Sequence, residues 1–138
     1  MYYSLRALEA SVFAAERGVD KTVLVPGKTY YFFTTSISNI RMVNIVVNGK
    51  IIFLDDIEQW PMNSKGSKFP QLGFLNCSSI SLSGDGVIDG NGYKWWWYVI
   101  SILFKRKHTS RDNRGDMIYW SQSTDISISN LTFRNSPK

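Results

Sequence analysis

The chain has 138 residues, enough to bury one core and too few for two independent ones. Sixteen Lys and Arg against eleven Asp and Glu leave a formal net charge of +5, which favours an acidic partner (nucleic acid, anionic membrane or uronic-acid polysaccharide) without choosing among them. A single cysteine, Cys77, excludes an intramolecular disulfide and a multi-cysteine metal site and reads as a small buried hydrophobe; no metal and no cofactor is expected.

Leu5, Leu8, Val12 and Ala15 recur at helical spacing, with Ser4 as N-cap and Gly18 as stop, and predict one amphipathic helix over about 4–17. Arg6, Glu9 and Glu16 interrupt the apolar stretch a secretory signal needs, so no signal peptide is read here. The period then changes. The segments KTVLVPGKTYYF and MVNIVVNGKIIFL are short apolar runs punctuated by Pro-Gly and Asn-Gly, and SSISLSGDGVIDG and TDISISNLTF alternate strictly, which predicts short strands at turn-punctuated spacing. Residues 93–115, holding Trp95–Trp97 and the cluster Lys105, Arg106, Lys107, Arg111 and Arg114, read as an inserted loop that packs its first half and exposes its second. The longest apolar run, 95–104, is about half the roughly twenty residues a membrane span requires, so no membrane partner is expected.

Hairpins would explain the turns, but the strand pairs repeat. Residues 43–53, 78–89 and 124–133 share one order: alternating strand, Asn or Gly, second short strand, with Ile45, Ile80 and Ile126 equivalent, and Val47, Leu82 and Ile128 likewise. A unit that can bury its apolar face only against copies of itself predicts a solenoid, an all-β right-handed parallel β-helix of about three to four coils. The coils are placed at about 22–92 and 116–138, in a single partial domain over 1–138 whose open sheet end is capped by the helix at 4–17. Gly84, Gly86, Gly90 and Gly92 are assigned to sharp corners with positive φ, and Asp85, Asp89 and Asn91 to corner positions where short side chains bond local backbone.

The order LEASVFAAERG, TVLVPGKTYYF, VNIVVNGKIIF, ISLSGDGVIDGNGYKWWW, ISISNLTFRNSP resembles the amino-terminal part of glycoside hydrolase family 28, the polygalacturonases and their relatives, from about Leu5 to Lys138. Where Arg-Pro is the pattern before the coil ending in NSP, this chain has Arg114-Gly115-Asp116. The resemblance implies hydrolysis of α-1,4 bonds between galacturonic acids with inversion, by a protonated acid and a carboxylate base roughly 6.5 to 9.5 Å apart. It also implies an acidic polysaccharide partner, pectin or galacturonan, and an extracellular or cell-wall location. The family's Asn-Thr-Asp, Asp-Asp after Gly, Gly-His-Gly and Arg-Ile-Lys groups all fall beyond the NSP coil, so no catalytic residue is assigned and the chain alone is expected to be inactive. Ser123-Thr124-Asp125 and Asp55-Asp56 are turn residues on this reading, and His108 is basic surface.

Trp95, Trp96, Trp97, Lys105 and Arg106 are the candidate substrate-binding residues, since indoles can stack on sugars and cations attract uronate carboxylates; packing under a loop is the competing role for the tryptophans. Asn76 and Asn130 head N-glycosylation sequons, with Asn130 also placed as a structural corner. Nucleic acid is not an expected partner, because the basic residues are not interleaved with the strands. The open strand TDISISNLTF predicts self-association through its edge. The alternative function is a non-catalytic polysaccharide-binding or structural β-helix.

Overall fold

The computed structural model describes residues 3–105 and 112–138. Helix α1 is Tyr3–Arg17, and the strands after it are β1 Thr22–Val25, β2 Thr29–Phe32, β3 Thr35–Ser38, β4 Arg41–Val47, β5 Lys50–Phe53, β6 Leu72–Leu75, β7 Ser78–Ser83 and β8 Val87–Asp89. Helix α2, Tyr93–Lys105, intervenes before β9 Ile118–Ser121, β10 Thr124–Ile128 and β11 Thr132–Arg134. These strands form three sheets in the orders β1-β4-β7-β10, β2-β5-β8-β11 and β3-β6-β9. All their pairings are parallel. Each pass of the chain adds one strand to each sheet, so the molecule is a short parallel β-helix.

The coil has three sides rather than the two strands read from the repeat. The third strand was hidden because it is only four residues long and, in β6, buries Leu72, Gly73 and Phe74 consecutively without alternation. The register also differs from the expected isoleucine stack. Ile80 faces Ile126 as expected, but it faces Val43 on the other side, while Ile45 faces Leu82 and Val23. A two-residue slip leaves every inward side chain inward, so alternation fixes the parity of a strand and not its register.

Inward residues stack into columns along the axis: Val43, Ile80 and Ile126; Ile51, Ile88 and Phe133; Ile37, Phe74 and Trp120, whose last two rings stack at 4.2 Å. Each fully buried aliphatic side chain contributes about 1.5–3 kcal/mol of transfer free energy. The corners are also stacked. Asn39, Asn76 and Gln122 follow directly after β3, β6 and β9, and all three have left-handed φ of 59°, 52° and 49°. The short amide of asparagine tolerates that region, and the Asn76 amide donates to Asn39 Oδ1 at 2.8 Å, tying two coils at the bend. Of the glycines assigned positive φ, Gly84 has it at 114°. Gly86, Gly90 and Gly92 do not; they are needed for close approach, a Cβ on Gly86 falling 2.6 Å from the Val47 carbonyl oxygen.

Helix α1 closes one end through chemistry as well as shape. Leu8 and Val12 are buried against the first coil, and Glu9 and Glu16 accept hydrogen bonds from the backbone N–H groups of Ser36 and Arg41, both 3.0 Å. Ser36 lies on the outer strand of the third sheet, so Glu9 satisfies an edge donor that no strand meets.

Candidate functional site

The chain leaves the regular coil twice at one corner, between the second and third sheets: over residues 54–71 and over 90–117, where the first coil turns in two residues. The second excursion was expected to be a loop over 93–115, and its first thirteen residues are instead helix α2. An apolar run without glycine or proline is compatible with either a buried strand or a helix, and here length decides for the helix. Trp95 is buried, edge-on to Trp60 at 5.2 Å, and Trp60 in turn packs on Phe33 at 4.5 Å and donates its indole N–H to the Phe69 carbonyl. Lys94 pairs with Asp55 at 3.5 Å, and the two excursions form one packed wall.

Beside that wall, the outward positions Ser36, Gly73 and Tyr119 of the third sheet line up across three coils and form the floor of a groove of about 370 Å³. Phe69 and Pro70 come to its side from the first excursion, and Asp112, Arg114 and Asp116 from the second. The two excursions meet closely: a side chain at Gly115 would stand 2.8 Å from the Phe69 carbonyl carbon. The floor sits on rigid strands, and its long direction crosses successive coils, as a linear polymer would need.

Among the described residues, two of the groove's three cations pair with its two carboxylates. Arg114 donates from Nε and Nη2 to both oxygens of Asp112 at 2.9 and 2.8 Å, and from Nη1 to the Pro137 carbonyl at 2.7 Å. The hydrogen bonds from Arg114 hold the Asp112 carboxyl below its usual range against the opposing effect of burial, and the same pair raises Arg114. Burial lowers the pKa of Lys68, whose ammonium points under the wall to the Ile57 carbonyl at 2.7 Å and lies 6.0 Å from the Trp95 ring centre. Lys138 stands 3.6 Å from Asp116. A separate cluster fixes the exit of the second sheet: Asp89 accepts from the Asn91 N–H, Asn135 Nδ2 and Arg134 Nε at 2.9, 3.1 and 3.0 Å. Burial would raise that carboxyl, and these donors together hold it below the usual value.

The candidate residues from the sequence are dispersed. Trp95 is core, Trp96 is half-exposed with its indole N–H on the Ser136 carbonyl at 2.8 Å, and Trp97 is 71% exposed on the outside of α2. Three successive helical positions are rotated by about 100° each, so they cannot share one face. None of the three lines the groove. The Lys105 side chain, Arg106, Lys107, His108 and Arg111 lie outside the described residues. Asn76 and Asn130 are both exposed, and Asn130 has the left-handed φ of a corner at 63°. Asp125 accepts from Ser79 Oγ at 2.8 Å, and Asp55 is the partner of Lys94. Among the described residues no cluster of three His, Cys, Asp or Glu could hold a metal ion, and no helix is long and apolar enough to cross a membrane. The groove residues Phe69, Asp112, Asp116 and Tyr119 escaped sequence reasoning; the signal for them was that both long inter-repeat spacings open at the same corner and flank the same sheet.

No protein-family model matches the chain. It is 28% identical over 128 residues to a polygalacturonase of Chamaecyparis obtusa, covering 91% of this chain and 24% of that protein. It is 30% identical over 92 residues to a polygalacturonase of Juniperus ashei, covering 67% and 17%. A protein of Aspergillus niger described as an endo-xylogalacturonan hydrolase is 29% identical over 122 residues, covering 87% and 28%. The chain therefore spans about a quarter of the length of the curated relatives it matches. A solved structure from Parabacteroides merdae described as a glycosyl hydrolase superposes with a TM-score of 0.72 over 98% of this chain and 59% of that one, at 15% identity, which supports the shared fold.

Proposed function

From a chain homologous over most of its length to the polygalacturonases of glycoside hydrolase family 28, we propose a galacturonan-binding portion of a polygalacturonase-like hydrolase, its groove forming one end of the polysaccharide site. The observation that carries the reading is the groove itself: a floor laid across three parallel coils and walled by the chain's two insertions, in a protein whose relatives include polygalacturonases. The proposed reaction of the whole protein is inverting hydrolysis, in which a carboxylic acid protonates the glycosidic oxygen while a carboxylate takes a proton from the attacking water on the opposite face. Asp112 is unsuited to the acid role, because Arg114 holds it as an anion. This proposal places the acid and base on coils beyond these. A pectin partner and a location at the cell wall or outside the cell belong to the same reading.

Affinity electrophoresis through a gel containing pectin tests it, with dextran sulfate as the control for net charge. Retardation by pectin beyond that by the control is expected; retardation by pectin no greater than by the control would leave only attraction through net charge and overturn the reading.

A further inference from the structure

Among the described residues, the cations that line the groove are all engaged within the protein. Arg114 spends its guanidinium on Asp112 and the Pro137 carbonyl, the Lys68 ammonium points away under the wall, and Lys138 stands against Asp116. Beside these pairs, the groove presents uncharged side chains. Tyr119 and Phe69 are 44% and 43% exposed, and the floor between them drops at Gly73, where there is no side chain between Ser36 and Tyr119. Aromatic rings beside small polar residues suit the mixed apolar and hydroxylated faces of a pyranose. Among the described residues, a free carboxylate would meet Asp112 and Asp116 and cations already paired, which have little left to offer it.

We propose that this part of the groove is a subsite for an uncharged pyranose unit, with Tyr119 as its stacking platform and Phe69 as its side, rather than for a free uronate. This rests on the polysaccharide reading above and narrows it: at this end of the site the protein takes units whose carboxyl is masked as an ester or that lack one. The Asp112–Arg114 pair then acts as a positioning element that closes the wall and screens the site from anionic units. Asp116 has the same screening effect on Lys138, and removing its charge turns the subsite cationic.

The test is a saturation-transfer NMR titration of the chain with three oligosaccharides: trigalacturonate, its methyl ester and xylotriose. The ester and xylotriose separate the two sources of an uncharged unit, an esterified uronate or a neutral sugar. At least one of them is expected to bind more tightly than trigalacturonate, with an affinity flat between low and high salt, because no ion pair forms. Tyr119→Ala is expected to weaken that ligand about fivefold, the loss of one aromatic stack, while Trp97→Ala leaves it unchanged. Asp116→Asn is expected to shift preference toward trigalacturonate and introduce a salt dependence, a gain that a misfolded variant could not show. Tighter binding of trigalacturonate by the unaltered chain, or indifference to Tyr119→Ala, overturns this subsite and leaves the galacturonan reading standing. No binding of any of the three, together with no retardation in pectin gels, overturns both.

Discussion

Replacing Asp89 with Asn removes one charge at nearly constant volume, and the structure sets the size of the effect. Asp89 Oδ1 takes hydrogen bonds from the Asn91 N–H and Asn135 Nδ2, and Oδ2 takes one from Arg134 Nε. Asparagine keeps a single acceptor oxygen, so its amide N–H₂ must face Arg134 donor to donor. A hydrogen bond to a charged group is worth about 1.5–3 kcal/mol, but the Arg134 side chain is 47% exposed and can turn to water. A net loss of about 1–2 kcal/mol at neutral pH follows. The pH dependence gives the argument its sign. The folded pKa of Asp89 lies below the ordinary 3.8, so its contribution is complete above about that pH and is lost as pH falls through the folded value. Urea unfolding of both proteins at neutral pH and again at acid pH should therefore show a midpoint difference that shrinks as the pH falls below 3.8. An undiminished difference there, or none at neutrality, would refute the assignment of Asp89 as an ionised anchor between coils.

Gly86→Ala should cost about 2 kcal/mol or more, because its Cβ meets the Val47 carbonyl at 2.6 Å, backbone that cannot turn aside; a variant with an unchanged denaturant midpoint would contradict the close approach. Trp95→Ala should lose about 3–5 kcal/mol while Trp97→Ala stays within about 0.5, a contrast thermal melts can read directly. For Lys68 the sign is opposite to that of Asp89: burial lowers its folded pKa below 10.5, the unfolded state binds more protons between the two values, and stability relative to Lys68→Met should rise as pH climbs toward 10.5 in unfolding experiments. Sedimentation should show concentration-dependent association through the β10 edge, where Ile128 is 43% exposed, and Ile128→Lys should suppress it.

The parallel β-helix was legible in the sequence because its parts constrain one another: alternation gives inward and outward faces, Asn and Gly mark bends, and Ile80 and Ile126 recur at the same place in their units. Register was not, since moving Ile45 from Ile80 to Leu82 exchanges one buried aliphatic neighbour for another. The tryptophan triplet shows a second limit. Three adjacent indoles suggest one surface only if the backbone is unspecified; once the helix is known, Trp95 turns to Trp60, Trp96 to Ser136 and Trp97 to solvent. The groove depended on tertiary pairing throughout, for Gly73 and Tyr119 become neighbours only through the β6–β9 ladder, 46 residues apart in sequence.

The central claim is that these coils hold polysaccharide while the hydrolytic acid and base lie beyond them. Reducing-sugar release from polygalacturonate by the 138-residue chain, measured beside its retention on pectin, tests it most directly. Retention without release is predicted; turnover by the 138-residue chain that disappears on Asp112→Asn or Asp116→Asn would contradict it.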